Sequence, residues 1–356
     1  MQNQVKKIIE DTLGTSIVLE KPKDRSLGHF ATPVAFSLAK EYRKSPMVIA
    51  DELVAKFDGN DIFESVEAVK GFINFKLSLD FLELSINKSL SNEEEFAKGE
   101  KKNKKILLEY VSANPTGPLH IGHARGAVFG SALYSIGNHL GFDISSEYYV
   151  NDAGSQMDLL GLSLYLAGRE SILKVDVEYP EVYYRGEYLF DLAEQAVEKF
   201  GVEVFEEANM LTELSLFAKD KVLKIITDDL ADLGIKFDNF VYEKPLYDRW
   251  EPIRKTLEDN GHLYTKDEKV WLRSTDGGDE LDRVVIRENG IPTYLAGDII
   301  YHKDKFDRDF DQYINIWGAD HHGYIARVKA AINFVGNDAD KLEVLLSQMV
   351  SLLKGG

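Results

Sequence analysis

Two histidines, His120 and His123, are the residues of this chain whose type and spacing most narrowly indicate a chemistry. They lie three residues apart at the predicted start of a helix, so their imidazoles share one helical face. Gly122 between them leaves room for a flat base or ribose against the backbone. Imidazoles and unpaired amides at a helix N-terminus can donate to a phosphate while negative charge builds on it. This pattern predicts phosphoryl or nucleotidyl transfer by electrostatic stabilisation, without a covalent intermediate.

The elements that must position these histidines are a strand before them and a helix after them. The apolar run 106–111 reads as a buried parallel strand, and the loop 112–118 is rich in proline and glycine. Pro118 suits a first helical turn, and apolar residues continue the helix to Leu140. Strand, tight loop and helix is the order found at phosphate sites in α/β folds. The alternative, two surface histidines on an amphipathic helix, does not account for the preceding loop and strand.

A hydroxyl and a carboxylate, Tyr294 and Asp298, lie one turn apart on a helix predicted over 294–306. The carboxylates of Asp298 and of Glu109, at the end of the first strand, could both accept hydrogen bonds from a cationic ligand. From the residues alone, the simpler interpretation is a helix-surface acid and a strand-end salt bridge.

A third group of polar residues follows the strand predicted over 312–317. Gly318 would let an adenosine approach closely, and Asp320 could accept a hydrogen bond from a ribose hydroxyl. An ordinary strand-to-helix turn with Asp320 as N-cap is equally compatible with the sequence.

Composition narrows the class of protein. The chain has 356 residues, of which 44% are apolar, and it has no cysteine, which excludes disulfides and thiolate zinc sites. We find no apolar run of membrane-spanning length and no secretory signal, so we expect a cytoplasmic protein. The net charge of −18 lies entirely in residues 106–356, which suits a cationic substrate. The basic stretch 98–105 could contact a phosphate backbone or serve as a solvated linker.

The fold class predicted is α/β. We expect a Rossmann-like nucleotide-binding parallel sheet with a mostly helical insertion, preceded by a small α+β N-terminal domain. The predicted boundaries are 1–95 for that domain, 96–104 for a basic linker and 105–356 for the catalytic domain. Within the catalytic domain we place two Rossmann halves at about 105–170 and 284–356, and the insertion at about 171–283.

The string His120-Ile121-Gly122-His123 resembles the HIGH motif of class I aminoacyl-tRNA synthetases. The sequence SANPTGPL at 112–119, with Arg125 after it, resembles the arginyl-tRNA synthetases in particular. Stretches that agree with this family recur along the whole chain, at 149–154, 293–298, 317–322, 27–32 and 71–75.

The resemblance implies ATP-dependent attachment of L-arginine to tRNA(Arg) through arginyl-adenylate, with Mg²⁺. It implies a monomer, whose N-terminal domain contacts tRNA, and no resident metal site or membrane partner. The catalytic residues it implies are His120 and His123. The ATP-binding residues would be Gly117, His120, Gly122, His123, Gly318, Asp320 and His321. The arginine-binding residues would be Glu109, Ser112, Asn114, His123, Tyr294, Asp298 and His322.

One departure from the family is the end of the sequence at residue 356, before a KMSK-type loop and a helical anticodon-binding domain. We therefore expect a truncated chain that binds ligands and activates arginine poorly. Three alternatives are a metal-dependent hydrolase, another HIGH-type nucleotidyltransferase, and a non-catalytic tRNA-binding relative. The first would use the cluster of His120, His123, Asp320, His321 and His322 as ligands.

Overall fold

The computed structural model describes residues 1–353. The chain forms two compact units, Met1–Gly99 and a second that begins at Glu100. The helices are α1 (Gln2–Leu13), α2 (Val34–Tyr42), α3 (Pro46–Val54), α4 (Leu79–Ser91), α5 (Ile121–His139), α6 (Ser155–Ser171), α7 (Tyr188–Phe200), α8 (Leu211–Asp232), α9 (Glu243–Leu246), α10 (Trp250–Asp259), α11 (Tyr294–Asp307) and α12 (Ile325–Phe334). The strands are β1 (Phe30–Thr32), β2 (Phe63–Val69), β3 (Phe72–Leu77), β4 (Lys105–Glu109), β5 (Asp143–Val150), β6 (Asn239–Tyr242), β7 (Leu263–Lys266), β8 (Lys269–Leu272), β9 (Arg283–Ile286), β10 (Gln312–Gly318) and β11 (Leu342–Ser347).

The first unit has a three-stranded antiparallel sheet in the order β1-β3-β2. The turn between β2 and β3 has positive φ at both Lys70 and Gly71, 53° and 85°, as a tight hairpin turn requires. Buried side chains such as Ile49, Ile73 and Phe75 form its core between the sheet and the helices. This is the small α+β unit expected from the sequence.

The second unit is built on a five-stranded parallel sheet in the order β11-β10-β4-β5-β6. This confirms the Rossmann-like α/β prediction. Glu109 at the end of β4 lies level with Asn315 on β10 and Glu147 on β5. The carboxyl ends of the three central strands therefore open at one edge, where ligands bind in open α/β sheets.

The region between residues 171 and 283 is more mixed than a helical insertion. Helices α7 and α8 form as expected, but β6 joins the parallel sheet, and β7 and β8 form a separate antiparallel sheet with β9. The run 284–287 does predict β9, as one strand of a hairpin. The strands β6, β7 and β8 were not expected, because each has only four residues, too few for a clear alternation. After β10 the apolar spacing predicts a helix over 321–334. The α-helix begins only at Ile325, because residues 319–324 form a 3₁₀-helix.

Helix α5 packs closely on β4 through Gly130. A Cβ added at Gly130 would lie 2.3 Å from ring atoms of buried Tyr110. We expect Gly130→Ala to lower the free energy of unfolding by about 1–3 kcal/mol through overpacking. At Gly126, one turn earlier, an added Cβ would have no neighbouring atom within 4 Å. We therefore expect Gly126→Ala to raise the free energy of unfolding by up to about 1 kcal/mol. Urea denaturation followed by circular dichroism measures both, and equal effects would contradict this packing.

Every helix in residues 1–353 is too short or too polar to cross a bilayer.

Candidate active site

A cleft of about 770 Å³ lies at the carboxyl ends of β4, β5 and β10, between the start of α5 and the start of α11. Its size is in the range of small-molecule sites. The residues that were predicted from sequence and that line it are Glu109, Ser112, Asn114, Gly122, His123, Tyr294, Asp298, Gly318, Asp320 and His321. The structure therefore brings together residues that are as much as 212 positions apart in sequence, from Glu109 to His321.

Three predicted residues are not among those that line the cleft. His120 lies directly behind His123, and the two rings stack with their centroids 4.0 Å apart. Gly117 is in the loop before α5, where an added Cβ would lie 3.5 Å from the Tyr188 hydroxyl. His322 is exposed in the 3₁₀-helix 319–324.

The two histidines at the start of α5 are held as hydrogen-bond donors. His120 is the N-cap, and its Nδ1 accepts from the amide of Gly122 at 3.1 Å. His123 Nδ1 accepts from the amide of His120 at 3.3 Å. Because both Nδ1 atoms are acceptors, each neutral ring carries its hydrogen on Nε2. Burial and the neighbouring His120 lower the pKa of His123, which favours the neutral form. The pair can thus offer two N–H donors to an oxyanion.

The turn between β4 and the next loop is strained. Val111 and Ser112 have φ of 67° and 41°, a region that residues with a Cβ rarely occupy. The turn aims the Ser112 hydroxyl back at the strands, where it donates to Glu109 Oε1 at 3.0 Å and accepts from the amide of Tyr149 at 3.1 Å. Ser112 is therefore fixed at the floor of the cleft.

Three carboxylates, those of Glu109, Glu243 and Asp298, line the same cleft as His123. Glu243 is 3% exposed, and only one of its oxygens has a partner, the Tyr247 hydroxyl at 2.9 Å. Burial, followed by the charges of Glu243 and Glu109, raises the pKa of Asp298 to about 7. Glu109 differs, because it forms an ion pair with buried Lys305. Burial also raises the pKa of Glu243. Asp298 and Glu243 thus face the cleft without a direct ion pair to a cation in residues 1–353, an unfavourable pairing of charges unless one of them is protonated or a cation binds between them.

Glu243 is one of the cleft-lining residues that the sequence did not reveal. It begins α9 at the end of β6, and that strand was not recognised within the expected helical region. Asp152 accepts a hydrogen bond from the amide of Lys244 at 2.9 Å, which holds the start of α9 in place. Neighbouring Asn151 lines the cleft, and its buried Oδ1 has no partner. The signal that could have found Glu243 is its place after an apolar parallel strand.

The edge of the cleft near the histidines is formed by β10, β11 and the segments after them. Gly318, Asp320 and His321 line it, and Asp320 is largely exposed with its Oδ2 3.5 Å from His321 Nε2. Arg125 on α5 donates to the carbonyl of Gln348 at 3.2 Å, which ties the segment after β11 to the histidine helix. Within residues 1–353 no group of three or more histidine, aspartate or glutamate side chains is arranged to hold a metal ion.

Comparison with known protein families finds a matching family model for each of the two units. Residues 1–77 match the model for the arginyl tRNA synthetase N terminal domain, and residues 85–353 match that for the class I (R) tRNA synthetase catalytic domain. The arginine–tRNA ligase of Aliarcobacter butzleri is 65% identical over all 356 residues, and that of Wolinella succinogenes is 60% identical. The chain spans 67% of the length of each, about two thirds.

Solved structures of similar proteins support the same family. A putative arginyl-tRNA synthetase from Campylobacter jejuni superposes with a TM-score of 0.74 at 55% identity, covering 78% of this chain and 62% of that one. The Thermus thermophilus arginyl-tRNA synthetase, at 20% identity, shares the fold with a TM-score of 0.65, over 98% of this chain and 66% of that one. The family models that match the two units agree with the relatives that match the whole length of the sequence, and this chain belongs to the arginyl-tRNA synthetase family.

Proposed function

We propose that this chain carries the arginine-activating site of an arginine–tRNA ligase, which joins L-arginine to tRNA(Arg) through arginyl-adenylate at the expense of ATP. One observation carries the proposal: two carboxylates without a cation line the same cleft as His123, whose ring stacks on the second imidazole donor, His120. Arginine is the amino acid whose cationic end suits the first group while its carboxylate reaches toward the second. Relatives at 65% and 60% identity, both arginine–tRNA ligases, support the proposal.

The guanidinium of the substrate faces Asp298 and Glu243 in this proposal, with the Tyr294 hydroxyl at the rim. Two carboxylates meet two edges of the planar cation, as its five donors require. The ammonium of lysine is a point charge and would leave carboxylate oxygens of this pair without a hydrogen-bond donor. Binding alone can therefore discriminate arginine from lysine.

The amino-acid backbone then lies toward Ser112, Asn114 and His123. Glu109, which was predicted to bind the guanidinium, already has Lys305 and Ser112 as partners. We therefore assign it to holding Ser112 rather than to direct contact. The exposed position of His322 offers no comparable support for a contact with arginine.

At the other end, a carboxylate oxygen of arginine attacks the α-phosphorus of ATP, and pyrophosphate leaves. His120 and His123 donate from Nε2 to the non-bridging oxygens, where negative charge increases in the transition state. Gly122 and Gly318 leave space for the nucleotide, and Asp320 accepts from the ribose. Mg²⁺ would accompany ATP and offset the negative charge of its phosphates. A hydroxyl of the terminal ribose of tRNA(Arg) then attacks the carbonyl carbon of arginyl-adenylate, and AMP leaves. We assign the reaction to a monomeric cytoplasmic enzyme.

Isothermal calorimetry of this chain with L-arginine, L-lysine and ATP tests the proposal. We expect saturable binding of arginine and of ATP, and no measurable binding of lysine at the same concentrations. Binding of lysine as strongly as arginine, or no binding of arginine, would refute it.

The affinity for arginine should depend on pH. Because the pKa of Asp298 is raised to about 7, its carboxylate is increasingly protonated below that pH and can no longer pair with the guanidinium. We expect the association constant to fall about tenfold per pH unit below 7, or about thirtyfold from about pH 8 to about pH 5.5. Calorimetry at several pH values measures this fall. A flat profile over that range would contradict a role for Asp298 in its ionised form.

A further inference from the structure

Lys305 is a buried cation that the proposed chemistry does not use. It lies on α11 with an exposed fraction of 0%. Its ammonium donates to Glu109 Oε2 and to Asn315 Oδ1, the latter at 2.8 Å, and lies 4.4 Å from the centroid of the Tyr301 ring. All of its donors are therefore directed at partners that are themselves buried.

The bond from Lys305 fixes the orientation of the Asn315 amide. Since Oδ1 accepts from the ammonium, Nδ2 faces His302 and donates to its Nε2 at 3.2 Å. His302 must then carry its hydrogen on Nδ1, which donates to the backbone carbonyl of Asp298 at 2.8 Å. The amide is what selects this tautomer, and Lys305 is what orients the amide.

On its other side, Lys305 is linked through Glu109 to Ser112, which also lines the cleft. Glu109 accepts from both Lys305 and Ser112, and Ser112 accepts from the amide of Tyr149. One continuous chain of hydrogen bonds thus runs along the cleft from Ser112, by way of Glu109, Lys305, Asn315 and His302, to the backbone carbonyl of Asp298 on α11. It joins β5, β4, β10 and α11.

We propose that Lys305 is a positioning residue for arginine recognition, which sets the distance and orientation between the Ser112 end and the Asp298 end of the cleft through Asn315 and His302. This inference rests on the proposed function, since it takes the two ends to hold the two ends of one arginine. The same arrangement keeps His302, which lines the cleft, as a neutral ring. Burial, and then the charge of Lys305, lowers the pKa of His302 to about 3, so that no second cation competes beside the guanidinium.

Asn315→Asp is the most selective test, because it keeps the shape and retains an acceptor for Lys305. An aspartate cannot donate to His302, so the ring must either take a second proton or give up its bond to Asp298. We expect the affinity for arginine to fall at least about tenfold and that for ATP to stay within about twofold. Nitrogen-15 NMR of the imidazole should show the Nδ1–H tautomer in the unsubstituted chain and its loss in the variant.

Lys305→Met should have the same signature of weaker arginine binding and nearly unchanged ATP binding. It also leaves Glu109 buried without a cation, so this variant can fail to fold. In that case the test of the positioning role depends on Asn315→Asp, which retains the ion pair between Lys305 and Glu109. Arg283→Met is the control: it removes one of the two arginine partners of another buried carboxylate, Asp279, which does not line the cleft and keeps Arg327, and arginine affinity should not change.

Two outcomes would overturn the inference. One is that Asn315→Asp binds arginine as tightly as the unsubstituted chain, and the other is an equal loss of arginine and ATP binding in a folded variant. Failure of the unsubstituted chain to bind arginine would instead refute the proposed function. The two failures are therefore distinguishable in one series of titrations.

Discussion

Replacing Asp298 by asparagine should weaken L-arginine binding about a hundredfold while ATP binding stays nearly unchanged. Asparagine has the same shape but no charge, and one of its two terminal groups is a donor that opposes the guanidinium hydrogens. Loss of one partner from a desolvated charge pair costs about 3 kcal/mol, within the usual range for such sites. Calorimetric titration with arginine and ATP separately measures both constants.

Asp304→Asn on the same helix is the control for this substitution. Asp304 pairs with Arg249 through Oδ1 at 2.6 Å and does not line the cleft, so arginine affinity should be retained. In Asp298→Asn, the dependence of affinity on pH near 7 should also become much shallower, since the titrating carboxyl is gone. Equal weakening of arginine and ATP would show that Asp298 supports the fold of the cleft rather than the guanidinium.

Replacing His120 by asparagine should weaken binding of a non-hydrolysable sulfamoyl analogue of arginyl-adenylate by about 2 kcal/mol, or roughly thirtyfold. The imidazole donates from Nε2 to the oxyanion that the sulfamoyl group represents, and asparagine is too short to reach it. Asparagine is nevertheless a good N-cap, so the bond to the Gly122 amide and the stability of α5 should be retained.

Two comparisons make the His120 result interpretable. Affinity for arginine alone should change less than about twofold, because His120 lies behind the histidine that lines the cleft. The thermal midpoint of His120→Asn should exceed that of His120→Ala, which removes the cap as well. An analogue affinity equal to that of the unsubstituted chain would contradict donation by His120.

The strand, loop and helix around the histidine pair were predictable because every signal there is local. Three signals each restrict the backbone over a few residues: the apolar run 106–111, the proline and glycine of the loop, and the spacing of apolar residues in α5. The same is true of α11, which presents Tyr294 and Asp298 one turn apart. Where the signals were short, as in the four-residue strand β6, the prediction of a helical region was incomplete, and with it Glu243 was missed.

Residue type and spacing alone determined that this chain has an α/β nucleotide-binding unit, which histidines begin its helix, and which carboxylate follows Tyr294 by one turn. Only the tertiary structure decided which carboxylates remain available to a cation. Glu109 and Asp298 are both acids beside the cleft, yet Glu109 is paired with Lys305, 196 residues away, and Asp298 is not. The physical reason is that a charge is satisfied by whatever partner folding brings within a few ångströms, and distance along the chain does not encode that distance in space.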